Sequence, residues 1–158
     1  MSATPPTPPR RLWGQPSWLL AHVSTDAYRL VVQALGSPAV RTDYAVLAGL
    51  AECGPIVQAD LGRRLGIDRS DMVAVLNRLE EQGCAARSTD PANRRRNLLT
   101  LTNEGEATLQ RLDERIGDAQ ALVLAPLDAS EQRELVELLQ RLVEHHRGYE
   151  RADPEAGV

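Results

Sequence analysis

The segment from Gln58 to Gly105 admits few folds, because Gly66 and Gly83 divide it into a short helix, a second helix and a hairpin. Gln58–Leu65 reads as a short helix, Gly66 as a tight turn, and Asp68 as the cap of a second helix. The Asp68 carboxylate can accept from the first free amides of that helix, and Asp71 adds charge suited to its N-terminal dipole. Leu61, Leu65 and Ile67 are expected to pack against Met72, Val75, Leu76 and Leu79, which recur at helical spacing. Gly83 stops the second helix. Two helices joined by a short turn containing glycine form a helix-turn-helix, whose second helix can lie in a DNA major groove.

A hairpin follows at once. Ala85–Thr89 begins it, Asp90-Pro91 turns it, and Leu99 and Leu101 can face a core at period two. Its tip carries Arg94, Arg95 and Arg96, and a narrow minor groove concentrates the negative potential that such a tip would meet. On its own a run of three arginines reads as a solvated loop. Behind a helix-turn-helix it reads as the wing of a winged helix.

The order of these parts, and several residues within them, resemble the MarR family of bacterial transcriptional regulators from about Leu19 to His146. The most specific pieces are Leu79-Glu-Glu-Gln-Gly83, Arg87, the wing Asp90-Pro-Ala-Asn-Arg-Arg95, and Leu101-Thr-Asn-Glu-Gly105. The chain departs from the family pattern in three places. Asn93 stands where an aspartate usually precedes the wing arginine, Cys84 replaces an apolar residue, and Val73 and Ala74 replace polar or basic residues of the recognition helix. The resemblance implies a mainly α fold with a small β-wing, a winged helix-turn-helix flanked by N- and C-terminal dimerisation helices. It implies a homodimeric repressor of pseudo-palindromic operators on double-stranded DNA. It also implies a small-molecule effector in a cleft where, by analogy, Trp18, His22, Tyr28 and Tyr44 would lie. No cofactor and no metal are expected.

On this reading Arg63 or Arg64, Arg78 and Arg87 are expected on phosphates, with ordinary helix solvation the competing reading for Arg63 and Arg64, and Arg69, Ser70, Val73, Ala74 and Asn77 on base edges. Arg95, with Arg94 and Arg96 beside it, is expected in the minor groove. Positions 70, 73, 74 and 77 share the helix face opposite the apolar stripe. For Arg78 an ion pair with Glu80 or Glu81 is the competing reading.

Charge is distributed accordingly. Formal net charge is −4, yet Asp60–Asn103 holds eight arginines against six acids, while the chain from Glu104 onward holds six against thirteen. Local field steers phosphate binding more than the global sum does. All basic residues are arginine, which supports no functional conclusion by itself. Two cysteines, Cys53 and Cys84, are far apart and read as small buried apolar residues. A single possible pair makes no disulfide framework. The Pro-rich N-terminus has no apolar stretch of a signal peptide, and no segment suits a bilayer, so a cytoplasmic location is expected. An enzyme is disfavoured: there is no Gly-rich phosphate loop and no Ser/His/Asp spacing, and His145 and His146 are adjacent, which splays a would-be chelate. The remaining alternatives are a winged-helix protein-interaction module and a metal or redox sensor of the same family.

The expected organisation is a Pro-rich tail over 1–16 with no regular helix, a first dimerisation helix over 17–40, the winged helix-turn-helix over 41–103, C-terminal dimerisation helices over 104–147 and a flexible tail over 148–158. Trp13 is placed to pin the first tail. The second helix is expected to start near Thr42 with that hydroxyl as cap, and Ile56-Val57 to add a short strand beside the wing. Leu109, Leu112, Ile116, Ala119 and Val123 form a seam suited to a neighbouring helix. After Pro126, Asp128 and Glu131 form a capping box, and Leu135, Leu138, Leu139 and Leu142 line the last helix. A second copy of the chain is the expected cover for this apolar surface.

Overall fold

Among the described residues fifteen apolar side chains are buried, and most of them come from the helix-turn-helix, the wing and the helix before it. Leu47, Leu50, Leu61, Met72, Leu76, Leu79 and Leu99 are the largest of those fully enclosed. The computed structural model describes residues 8–152. In chain order these form α1 (Arg10–Trp13), α2 (Pro16–Leu35), α3 (Pro38–Cys53), β1 (Ile56–Val57), α4 (Gln58–Leu65) and α5 (Arg69–Glu81). Then come β2 (Ala85–Asp90), β3 (Asn93–Leu101), α6 (Asn103–Val123) and α7 (Ala129–Ala152). The chain divides into two compact units, one ending at Gln120 and one beginning at Ala121. The architecture is mainly helical with one small antiparallel sheet.

The helix-turn-helix forms as its glycine and cap require. Gly66 takes the left-handed conformation (φ 66°) that a side chain would resist, and Asp68 Oδ1 accepts from the Asp71 amide at 2.9 Å. At the other end Gly83 (φ 72°) lets the chain reverse, and the Cys84 amide donates to the Leu79 carbonyl at 2.8 Å. The sheet has the order β1-β3-β2, with Ile56 opposite Leu99 and Ala85 opposite Leu101. The short strand expected at Ile56-Val57 is therefore present beside the wing.

One junction ties the wing to α6. The Thr102 hydroxyl donates to the Gly83 carbonyl at 2.6 Å and accepts from the Gly105 amide at 3.0 Å. Gly105 lies so close to the start of β2 that a Cβ there would sit 2.0 Å from the Cys84 carbonyl oxygen. Only glycine permits that approach.

Four sequence expectations need correction. The Pro-rich start is not free of helix: α1 makes one turn after Pro9, and Pro16 is the first residue of α2. Proline suits a first helical position, where its missing N–H costs nothing. For the same reason α3 starts at Pro38 rather than Thr42, and the cap is Ser37, whose Oγ accepts from the Val40 amide at 3.3 Å. The boundary drawn between 40 and 41 thus falls inside a helix. Cys53 is only partly buried and accepts from Arg64 Nη1 at 3.6 Å, whereas Cys84 is buried as expected. Finally, Leu112 does not wait for another chain. It belongs to the winged-helix core, with Leu109 and Ile116 packed against that core, and Ala119 is covered as well.

In the second unit α7 opens on the expected capping box: Asp128 Oδ1 accepts from the Glu131 amide, and Glu131 Oε2 accepts from the Asp128 amide at 2.8 Å. Val136, Leu138, Leu139, Leu142 and Val143 are exposed along it. In the first unit Leu20 and Val23 of α2 are exposed too. Trp13 meets Trp18 with ring centroids 6.1 Å apart.

Candidate nucleic-acid interface

Helix α5 has two chemically distinct faces. Met72, Val75, Leu76 and Leu79 point into the core, while Arg69, Ser70, Val73, Ala74 and Asn77 are exposed. Val73 is 39% exposed. The N-cap sets the local charge: the Asp71 amide and then the Ser70 hydroxyl, at 2.7 Å, hold the Asp68 carboxyl below its usual range.

A groove of about 1070 Å³ runs between this helix-turn-helix and the wing. Arg63 from α4, Arg69 and Val73 from α5, and Arg96 and Asn97 from β3 all line it. Three separate elements therefore bring arginines to one concavity. Arg63 is also paired with Asp60 one turn earlier. At the wing tip Asp90 Oδ1 accepts from the Ala92 amide at 2.8 Å, which closes the turn, and Arg94 and Arg96 are exposed. The Arg95 side chain lies outside the described residues.

Two arginines expected on phosphates have their donors engaged within the fold. Arg78 pairs with Asp43 of α3, not with Glu80 or Glu81, and that carboxylate keeps the guanidinium charged beyond its already high range. Arg87 Nη1 lies 3.0 Å from Glu80, and its Nη2 donates to Asn77 Oδ1 at 3.3 Å. The sequence reading missed Asp43, although a signal exists. It shares a helical face with Val46, Leu47 and Leu50, and a charge on such a stripe requires a partner.

A second cleft, of about 620 Å³, separates into view two of the four aromatic residues expected there. Tyr28 and Tyr44 line it, together with Arg41, Ile67, Ile116 and Gln120. Trp18 and His22 do not. Their rings stack on each other at 3.6 Å, with His22 Nδ1 2.9 Å from the Trp18 carbonyl oxygen. The Arg41 guanidinium lies 5.2 Å from the Tyr28 ring centre. Tyr44 donates to Asp113 Oδ1 at 2.9 Å; partial burial first, and this carboxylate second, raise its phenol above the usual range. Among the described residues no group of three His, Cys, Asp or Glu could hold a metal ion, and no helix is long and apolar enough to cross a membrane.

A helix-turn-helix with a three-stranded sheet and an arginine-bearing hairpin defines a winged-helix protein. The sequence pattern of the MarR family matches residues 41–96. A regulatory protein assigned to the hcr operon of Thauera aromatica is 34% identical over 99 residues, which are 63% of this chain and 60% of that protein. An HTH-type transcriptional repressor of Mycobacterium tuberculosis is 32% identical over 63% of this chain and 72% of its own length. The PcaV transcriptional regulator of Streptomyces coelicolor, solved with its natural ligand, is 32% identical, with a TM-score of 0.71 over 91% of this chain and 98% of that one. The chain belongs to the MarR family of winged-helix transcriptional regulators, which are not enzymes.

Proposed function

We propose that this protein is a homodimeric repressor that binds pseudo-palindromic operators on double-stranded DNA in the cytoplasm. The observation that carries this reading is the convergence of Arg63, Arg69 and Arg96 on one groove beside the exposed face of α5. The repressor among its relatives supports the sign of regulation. In this arrangement α5 enters the major groove, where Val73 meets thymine methyl groups and Arg69 donates to guanine. Arg63 and Arg64 lie over phosphates, and Arg94, Arg95 and Arg96 enter the adjoining minor groove. Arg78 and Arg87 brace the reading helix.

The exposed stripe Leu138, Leu139, Leu142 and Val143 of α7, with Leu20 and Val23 of α2, supports a second copy as the partner. The Tyr28–Tyr44 cleft, and the ligand bound by PcaV, support a small-molecule effector. Selection from random DNA at fixed salt tests the proposal. It should return a motif with two half-sites about one helical turn apart, and failure to enrich any sequence would overturn it.

A further inference from the structure

The contact between Arg87 and Asn77 decides what the recognition helix can read. Asn77 lies on the exposed face of α5, in line with Ser70, Val73 and Ala74. Its side-chain amide has one acceptor, Oδ1, and two donors on Nδ2. A guanidinium has donors only, so the amide oxygen and not the nitrogen must turn toward Arg87. Arg87 cannot easily leave this post. Its other terminal nitrogen lies 3.0 Å from Glu80, one helical turn beyond Asn77, so two neighbouring side chains of α5 hold the guanidinium from the same side. Arg87 itself comes from β2, at the base of the wing, opposite Leu99.

We infer that Arg87 is a specificity-determining residue that touches no base: by holding Asn77 Oδ1 it leaves the Nδ2 donors as the group presented to DNA. The inference rests on the DNA-binding reading above. Adenine is normally recognised by an asparagine that accepts from N6 and donates to N7 together, which needs both ends of the amide. With its oxygen turned to Arg87, Asn77 favours base edges that present acceptors with no donor beside them, namely guanine N7 and O6 or thymine O4, over adenine, whose N7 stands next to the N6 donor. Releasing Arg87 frees the amide to turn and admits adenine.

The test is selection from random DNA with the wild-type protein, Asn77→Ala, Arg87→Ala and Arg87→Lys, each confirmed folded by circular dichroism. Asn77 is exposed, so its truncation leaves the core intact. The wild type should enrich guanine or thymine at one symmetric pair of positions, and Asn77→Ala should erase that preference. Arg87→Ala should raise the share of adenine there by about threefold to tenfold relative to the wild type, the effect of one hydrogen bond. Arg87→Lys should keep more of the wild-type preference than Arg87→Ala, while the other positions of the motif stay as they were. A general structural role for Arg87 would instead weaken all positions alike, and that result would overturn the inference. So would adenine selected by the wild type at the positions that Asn77→Ala alters, or a motif unchanged in Asn77→Ala, which would put the amide on a phosphate. Absence of any enriched motif in the wild type would fail the DNA-binding reading itself, a result distinguishable from these.

Discussion

Arg78 reaches from the recognition helix to Asp43 on α3, its Nε standing 3.1 Å from each carboxylate oxygen. Asp43 is 5% exposed and is the one charged residue among the buried side chains described. The pair therefore clamps α5 against α3 through a carboxylate with little access to water. Asp43→Asn should lower stability to urea by about 2 kcal/mol, below the range for a fully buried pair because Arg78 keeps partial access to solvent. A double-mutant cycle with Arg78→Met should give a coupling above about 1 kcal/mol. Simple additivity would show that the two side chains do not support each other.

Of the glycines described, Gly105 leaves the least room for a side chain. Gly105→Ala places a methyl group against the Cys84 carbonyl, which is backbone and cannot rotate away. The expected loss is about 3 kcal/mol or more, with a thermal midpoint lowered accordingly. A variant as stable as the wild type would show that α6 can lift off β2 without cost.

The seam of α6 gives a prediction that separates protomer from dimer. Leu112→Ala should destabilise by about 2–5 kcal/mol through a cavity in the winged-helix core, with no monomer released while the protein remains folded. Leu139→Glu with Val143→Glu should do the reverse, because both side chains are exposed in the single chain. Sedimentation of each variant beside its unfolding curve checks the pair. Dissociation in Leu112→Ala but not in the α7 variant would move the interface back to α6.

Acid should loosen the recognition helix at its start. The folded Asp68 carboxyl lies below its ordinary value because the Asp71 amide and the Ser70 hydroxyl bind its charged form. A depressed folded pKa contributes stability above the unfolded value of about 4, and that contribution fades as pH falls through the folded value. The stability difference between the wild type and Asp68→Ala should therefore shrink below about pH 4. A gap that stays constant down to pH 2 would mean that the cap does not depend on charge.

Arg95→Ala and Arg96→Ala should each weaken operator binding by about 1–3 kcal/mol and leave the fold intact. The salt dependence of binding should also become shallower, since each arginine lost displaces fewer counterions. Titration at two salt concentrations reads both effects, and unchanged affinity in both folded variants would remove the wing from the interface.

Local chemistry made the winged helix legible. Gly66, Asp68 and Gly83 fix where helices end and begin, and the outer face of α5 followed from the spacing of Met72, Val75, Leu76 and Leu79. Asp128 and Glu131 announced α7 in the same way. What escaped were relations between distant segments. Nothing near Leu112 says that its stripe packs on the winged helix of its own chain and not on another copy. Arg78 had acids one turn away, so local pairing looked sufficient, and Asp43 lies 35 positions upstream. The separation of Trp18 and His22 from Tyr28 and Tyr44 likewise depends on which side of α2 meets α3, a matter that helical period alone leaves open.

The path from wing to α6 passes through Thr102 alone, since β3 ends at Leu101 and α6 starts at Asn103. A one-residue link has no slack, and both hydrogen bonds of its hydroxyl are already committed to the neighbouring turns. The length of the chain is therefore frozen at this point: one inserted residue would rotate α6 by about 100° about its axis and turn Leu112 out of the core. The connection between α6 and α7 is longer, spanning residues 124–128, where the Gln132 side-chain amide donates to the Leu127 carbonyl at 2.9 Å. Descendants of this sequence must inherit the join at Thr102 without insertion or deletion.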